Sequence, residues 1–290
     1  MSSALWSVAA VVRESPEVVR RFVSWYLGLG AREIFLIFEN PYDLVIGEIV
    51  RQPRVHVIRG TSAFWRHINV TPEHSVMERR DRALHYVYSI CQTPWLVLSE
   101  IDDLILTRDR SVGRILGAQP DPVKVVQIQV ADRIFAPKEP EALYFRLPLP
   151  NGDVKRGFAP ELSQIVAANG GYAGDAPGRL VVQTDIPGFV LKNGEACGRR
   201  GKPLAVREIG WEDGAVAQNF HSDSYEDWCS KLPARIDAGA YAPALVPLLE
   251  QALVAGEDEL KKLWRGLYQI GARERSALMK RGLVLAADPA

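Results

Sequence analysis

Three carboxylates stand close together after an apolar run, and they are the residues of this sequence best suited to chemistry. Glu100, Asp102 and Asp103 directly follow the apolar run at 95–98. Like charges at this spacing repel one another, so the arrangement is costly unless a cation, a basic partner or solvent offsets the repulsion. Mg²⁺ and Mn²⁺ prefer carboxylate oxygens, so a divalent metal is one natural partner. The alternative is a solvated acidic turn.

The spacing of these carboxylates separates them into two sets. Glu100 and Asp102 are two positions apart, so on an extended segment both side chains point to the same face, while Asp103 points elsewhere. Glu100 and Asp102 are therefore the predicted metal ligands.

Alternating strand and helix patterns position this turn. Apolar runs typical of buried strands cover 5–12, 33–38, 55–58 and 95–98, and helical spacing covers 17–29, 44–51 and 72–91. This alternation predicts an α/β fold with a mainly parallel sheet flanked by helices. Ligands of such sheets bind beyond the carboxyl ends of the strands. The polar segments 13–15, 39–43 and 100–103 should therefore meet on one rim.

The rest of the chain has a looser pattern. Segment 136–202 is rich in glycine and proline, with strand-like runs at 180–183 and 188–191 and a helix at 160–168. The tail has helical periodicity at 224–234, 243–255 and 257–280. We predict one compact domain with an α/β half at 1–135, a loop-rich half at 136–223 and a helical region at 224–290.

Composition and the absence of common motifs exclude several classes. Lys plus Arg and Asp plus Glu both number 35, so bulk charge does not favour nucleic acid. Three cysteines without a C-x-x-C pair, together with the absence of a leader-like start or a 20-residue apolar stretch, predict a cytoplasmic protein with no transmembrane segment. Phosphate-loop, dinucleotide-binding, zinc-protease and serine-hydrolase motifs are also missing.

The order of these features resembles the GT-A-fold glycosyltransferases related to families 2 and 92. In that family a first strand ends in a Lys-Asn-Glu-like turn, a helix carries Glu-Trp-x-x-Tyr-His, and a second strand ends in Asp-Asn. A later Trp and four apolar residues precede Asp-x-Asp-Glu. The matching stretches here are 12–15, 22–27, 38–40 and 95–103, and the resemblance covers about 5–106.

A second match lies at 218–231, where the family shows Asn-His-Tyr, Lys-Ser, Glu-Glu-Phe and Lys. Three residues depart from the pattern. Asn219 stands where the family has histidine, Phe220 where it has tyrosine, and Glu100 where it has the first aspartate of Asp-x-Asp. His221, two positions after Asn219, is the imidazole that could replace the missing one.

The resemblance implies a nucleoside-diphosphate sugar donor and a glycan or other hydroxyl acceptor. It also implies Mn²⁺ or Mg²⁺ held by Glu100, Asp102 and His221. Such a metal would stabilise the negative charge that develops on the leaving diphosphate.

The resemblance also assigns donor-binding residues to the strand ends. Arg80, with Arg79 and Arg82 as alternatives on the same helix, would reach phosphate oxygens. The residues implied for the nucleobase and ribose are Arg13, Glu14, Glu39, Asn40 and Glu100.

An inverting transfer needs a base that is separate from the metal carboxylates. Glu212 and Asp213 are the predicted catalytic residues because they lie shortly before the 218–231 match. Asp175, Asp185 and Glu195 in the loop-rich half are alternatives.

Two other functions stay open. The departures from the family pattern are also compatible with a GT-A-fold protein that binds nucleotide sugar or glycan without turning it over. A nucleotidyltransferase would ordinarily show a glycine-rich basic loop after the first strand, whereas 13–16 reads Arg-Glu-Ser-Pro.

Overall fold

The predicted alternation of strands and helices is present in the N-terminal part of the chain, in a computed structural model that describes residues 3–109, 111–139, 141–174 and 178–287. The elements are β1 (Trp6–Val12), α1 (Pro16–Leu29), β2 (Ile34–Phe38), α2 (Ile46–Ile49), β3 (Val55–Arg59), α3 (Ser62–His67), α4 (Val76–Ile90), β4 (Trp95–Leu98), β5 (Asp103–Thr107) and α5 (Val112–Gly117).

The later part of the chain continues with further strands and helices. These are β6 (Val125–Ile134), β7 (Leu143–Arg146), α6 (Val154–Gly157), α7 (Pro160–Ala168), β8 (Gly178–Gln183), β9 (Val190–Lys192), β10 (Glu195–Cys197), β11 (Arg207–Ile209), β12 (Ala215–Asn219), α8 (Tyr225–Asp237), α9 (Val246–Ala255), α10 (Glu257–Tyr268), α11 (Ala272–Lys280) and β13 (Val284–Ala287). Within the described residues, none of the helices has the length and apolar character needed to cross a membrane.

The chain forms two units, which are described separately. The first unit comprises Met1–Ile128 and Gly178–Ala217, and the second comprises Gln129–Pro177 and Gln218–Ala290. The predicted loop-rich half at 136–223 is therefore divided, with its middle part in the first unit and its two ends in the second.

The first unit confirms the predicted α/β fold with a mainly parallel sheet. Strands β3, β2, β1 and β4 lie side by side in that order and run parallel. Strand β8 pairs antiparallel with β4, on the side of β4 that faces away from β1. Every residue of β1 and of β2 is buried, as expected for strands covered on both faces.

Helices cover the two faces of this sheet. Ala9 and Val11 of β1 pack with Leu84 and Val87 of α4. Trp6, which points to the opposite face of β1, meets Tyr26 of α1 edge to face at 6.2 Å between ring centroids. Because strand residues alternate in direction, these two contacts place α4 and α1 on opposite faces.

Two segments of the first unit differ from the predicted pattern. The helix predicted at 72–91 begins only at Val76, because Ser75 and Glu78 form a capping box there. The segment after β3, for which the sequence predicts no helix, contains the short helix α3. The Thr61 side chain caps it by accepting a hydrogen bond from Phe64 N at 3.2 Å.

The second unit packs helices α6 to α11 with strands β7 and β13. The core of this unit surrounds the fully buried Trp228 and Leu267. The single helix predicted at 257–280 is wrong: α10 and α11 are separate. The backbone between them pairs with Phe135 instead, through Phe135 N to Tyr268 O at 2.8 Å and Ile270 N to Phe135 O at 3.0 Å.

Candidate functional site

Three adjacent strands of the first unit end at the same edge of the sheet. Strand β1 pairs parallel with β2 up to Val12 and Phe38, and parallel with β4 up to Ala9 and Leu98. The residues that follow these strands therefore lie along one edge, which we call the strand-exit edge. It carries the polar segments after β1, β2 and β4.

The first two strand exits are joined by an ion pair. Arg13 Nη2 lies 2.5 Å from Glu39 Oε1, and the side chains are 35% and 24% exposed. Asn40 is exposed, and its Oδ1 accepts a hydrogen bond from Tyr42 N at 3.1 Å. Glu14 is half-buried beside them. The structure thus brings Arg13 and Glu39 together, and polar atoms here remain accessible to a ligand.

The backbone after β4 is anchored by helix α1. Tyr26 is fully buried, and its hydroxyl lies 3.3 Å from Ser99 Oγ and donates to Asp103 O at 3.2 Å. The indole nitrogen of Trp25 donates to Ile105 O at 2.9 Å. Tyr26 is therefore a core residue that positions the acidic segment 99–103, which we call the acidic turn, and Trp25 contacts the strand that follows it.

An arginine from helix α4 neutralises the first carboxylate of the acidic turn. Arg80 Nη2 lies 2.6 Å from Glu100 Oε1, and Arg80 is 19% exposed. Its Nη1 is also 3.8 Å from Asp81 Oδ1. The other Asp81 oxygen accepts from Gly194 N at 3.0 Å, at the tip of the β9–β10 hairpin. The Arg80 guanidinium therefore lies between two carboxylates.

A second arginine neutralises the last carboxylate of the acidic turn. Asp103 is completely buried, and its Oδ2 forms an ion pair with Arg179 Nε. Arg179 stands at the start of β8, next to Leu180, which pairs with Leu98 at the end of β4. Arg80 and Arg179, which both belong to the first unit, therefore offset the repulsion among the carboxylates of the acidic turn.

Burial and charge oppose each other in the Asp103–Arg179 pair. Burial raises the pKa of Asp103, Arg179 lowers it, and Asp102 and Glu100 raise it again. Burial alone would lower the pKa of Arg179, but Asp103, Glu100 and Asp102 raise it, so the guanidinium stays charged. Asp103 Oδ1 is buried without a hydrogen-bond partner in the described residues.

The predicted metal site does not fit this arrangement. Among the described residues, no group of three or more His, Cys, Asp and Glu side chains could hold a metal ion. Glu100 and Asp103 already have arginine partners, and Asp102 is only 7% exposed. Within the first unit, Glu100 and Asp102 are therefore not arranged as metal ligands, and we derive no chemistry through a metal.

His221 has a structural role within the second unit. Its Nε2 lies 2.9 Å from Arg133 O, and its Nδ1 lies 2.8 Å from Ser222 Oγ. The ring also packs against Tyr268 with centroids 4.0 Å apart. Both ring nitrogens are engaged, so a metal would have to displace one of these hydrogen bonds.

The predicted catalytic base residues lie at the opposite end of β5 from the acidic turn. Glu212 is 83% exposed and pairs with Arg108, directly after β5, at 3.2 Å. Asp213 accepts a hydrogen bond from Gly210 N at 3.0 Å within its own turn. Strand β5 starts at Asp103, so Arg108 lies about 16 Å from it at about 3.3 Å per residue. The structure does not bring Glu212 and Asp213 to the acidic turn.

Two residues of the site escaped the sequence analysis. Asp81 is buried three positions before Leu84 and seven before Tyr88, so helical spacing places it on the apolar face of α4. That inward position was a usable signal. Arg179 has no such local signal in the sequence, because it is 76 residues away from Asp103. Of the alternative base residues, Asp185 pairs with Lys124 at 3.1 Å, and Asp175 lies outside the described residues.

The chain shows low similarity to known proteins. No family model matches this chain, and no curated protein matches it. The crystal structure of HddC from Yersinia pseudotuberculosis is 9% identical, with a TM-score of 0.41, over 79% of this chain and 100% of that one. The mannosyltransferase PcManGT from Pyrobaculum calidifontis, in complex with GDP-Man and Mn²⁺, is 10% identical, with a TM-score of 0.41, over 96% and 76%. At these TM-scores neither likeness carries a conclusion about this chain.

Proposed function

We propose that this protein is a glycosyltransferase that binds a nucleoside-diphosphate sugar at the strand-exit edge and transfers the sugar to a hydroxyl acceptor. The observation that carries the proposal is the convergence of three polar strand exits in one parallel sheet, with Arg13–Glu39 and Arg80–Glu100 ion pairs among their side chains. The sequence resemblance at 12–15, 38–40 and 95–103 falls on these same exits.

The exits of β1 and β2 suit the nucleoside part of the donor. The Glu39 carboxylate and the Asn40 amide oxygen can accept hydrogen bonds from ribose hydroxyls, and Arg13 can donate to a nucleobase carbonyl. Arg13 and Glu39 are partly exposed. Their mutual ion pair holds both side chains at the edge before a ligand arrives.

The Arg80 guanidinium suits the diphosphate. It carries five N–H donors, and its bond to Glu100 uses Nη2. Charge-assisted hydrogen bonds from the remaining donors would strengthen as the sugar–phosphate bond breaks and charge builds up on the leaving diphosphate. Arg80 would therefore stabilise the negative charge on the leaving diphosphate, a role that the sequence-based prediction gave in part to a metal.

A second function is favoured by a specific observation. Glu100 and Asp103 are both neutralised by arginine, and Glu212 and Asp213 lie away from the acidic turn. A chain of this kind would bind a nucleotide sugar at the same edge without turning it over. The two functions share the donor site and differ in whether diphosphate is released.

Thermal-shift measurements with a panel of nucleotide sugars, with and without Mn²⁺, test donor binding, because a ligand bound only to the folded state raises the melting temperature. We expect at least one nucleoside-diphosphate sugar to raise it without Mn²⁺. Release of nucleoside diphosphate from that sugar then separates the transferase from the binding protein.

Arginine variants of the first unit make the test specific. Arg80→Met should greatly reduce both the shift and the release, whereas Arg207→Met, at an exposed arginine of β11, should leave both unchanged. If no nucleotide sugar binds, both functions are wrong. Binding that depends strictly on Mn²⁺ would contradict the assignment of Arg80 in place of a metal.

A further inference from the structure

The second unit contains a groove whose charge differs from that of the chain as a whole. The groove has a volume of about 440 Å³ and lies among α6, the residues just before α7, α10 and the start of α11. Its lining includes four basic residues and one acidic residue, whereas the whole chain is neutral. These five are Lys155, Arg156, Lys262, Arg265 and Glu274. We call this cavity the basic groove.

Buried contacts fix the walls of the basic groove. Gly266 of α10 packs so closely on α7 that an added Cβ would lie 2.9 Å from Ala159 Cβ. Ala159 N donates to Gly266 O at 3.0 Å. Arg146 is 3% exposed and donates to Gly157 O and to Leu267 O, the latter at 2.8 Å. The groove is therefore formed before any ligand arrives.

A buried cation lies behind the groove lining. The guanidinium carbon of Arg146 stands 3.5 Å from the centroid of the Phe158 ring, and Phe158 lines the groove. Burial lowers the pKa of Arg146 to about 10, so the side chain still carries its charge at neutral pH. Its charge adds to that of the four basic lining residues.

Two of the basic lining residues, Arg156 and Lys262, have weak ion pairs with the protein. Arg156 is 55% exposed and lies 4.0 Å from Asp153, a buried carboxylate that also pairs with Arg281. Lys262 is 65% exposed and lies 3.5 Å from the exposed Glu259. The exposed Lys262–Glu259 pair contributes little, and Arg156 shares its carboxylate with Arg281, so these two cations can turn to an anion in the groove.

We propose that the basic groove binds an organic molecule that carries a phosphate or diphosphate group. Arginine forms paired hydrogen bonds with phosphate oxygens, and lysine adds point charges. A volume of about 440 Å³ is within the usual range for small-molecule sites and far larger than a phosphate ion needs, so the ligand includes an organic part. The phosphate can belong to a free metabolite or to a lipid headgroup.

This proposal does not rest on the proposed function, because every residue of the basic groove belongs to the second unit. Titration calorimetry at low salt tests it with sodium pyrophosphate and glucose 1-phosphate as soluble probes. Sedimentation with phosphatidylcholine vesicles, with and without phosphatidic acid, tests the lipid source. Binding of either kind of probe supports the proposal and identifies the source.

Charge reversals locate the binding. Lys262→Glu together with Arg265→Glu should weaken the binding by about tenfold or more, because two charge-assisted contacts become repulsive. Lys138→Glu with Lys280→Glu makes the same change of charge at exposed positions of the same unit outside the groove and should have little effect. Glu274→Gln should strengthen binding. Circular dichroism confirms that each variant is folded.

Three results would overturn the proposal. The first is that no soluble probe and no phosphatidic acid vesicle binds the wild-type protein. The second is equal weakening by the groove variant and by the control variant. The third is binding that survives the groove variant but disappears in Arg80→Met, since that result would place the anion at the strand-exit edge of the first unit.

Discussion

Replacing Arg179 with methionine should strongly destabilise the protein. The substitution removes the only charge that the structure pairs directly with Asp103 among the described residues, while Asp103 stays completely buried. Methionine keeps much of the length of the aliphatic stem, so the packing loss is small by comparison. What remains is a buried carboxylate beside Asp102 and Glu100, both of which raise its pKa.

The size of the effect follows from the burial of the pair. Removing one partner of a buried ion pair costs about 3–5 kcal/mol, because the remaining charge loses its counter-charge. For a domain of about 150–250 residues, each kcal/mol lowers the melting temperature by about 2–4 °C. The expected decrease is therefore about 6–20 °C. A second substitution, Asp103→Asn, removes the orphaned charge and should recover much of the loss.

Urea denaturation followed by circular dichroism measures the free energy of unfolding of the wild type, both single variants and the double variant. Arg207→Met is the matched control, because Arg207 is an exposed arginine on β11 of the same unit. The reasoning is refuted if Arg179→Met costs less than about 1 kcal/mol, a typical surface value. It is equally refuted if Asp103→Asn deepens the loss in the Arg179→Met background.

Three further predictions concern other parts of the first unit. Burial lowers the pKa of His85, so the folded protein resists its protonation, and the associated stability is present above about pH 6.5 and lost as pH falls below it. His85→Phe should flatten that part of the stability–pH curve, measured by urea denaturation between acid and neutral pH. Arg80→Met should raise the dissociation constant for the donor by about tenfold or more, measured by calorimetry against the control Arg207→Met. Gly194→Ala should cost about 1–2 kcal/mol of unfolding free energy in the same urea assay, because Gly194 has φ of 75° in the β9–β10 turn.

Much of the first unit could be predicted from local patterns. Continuous apolar runs identified β1, β2 and β4, since strands that are buried on both faces need no alternation. Their parallel direction was expected from the intervening helices. Helical spacing alone places the start of α4 at Pro72, but the capping box formed by Ser75 and Glu78 sets the start at Val76.

The electrostatics of the acidic turn could be predicted only in part. The sequence showed that Glu100, Asp102 and Asp103 need an offsetting charge, and it allowed a cation, a basic partner or solvent. Choosing among them required tertiary contacts, because Arg179 reaches Asp103 across 76 residues. Arg80 was predicted to face phosphate, and no local pattern indicated that Glu100 would already hold it.

The construction of the acidic turn distinguishes it from an ordinary solvated loop. Burying Asp103 with Arg179 costs desolvation energy that a pair of apolar side chains would not, so stability alone does not explain the pair. Tyr26 of α1, Arg80 of α4 and Arg179 of β8 all contact this turn, so three elements fix its geometry. Fixed dipoles and charges that need no rearrangement are what a site requires if it is to stabilise charge developing on a ligand. The arginines therefore do more than relieve repulsion: they hold a charged strand exit rigid at the sheet edge where we place the diphosphate.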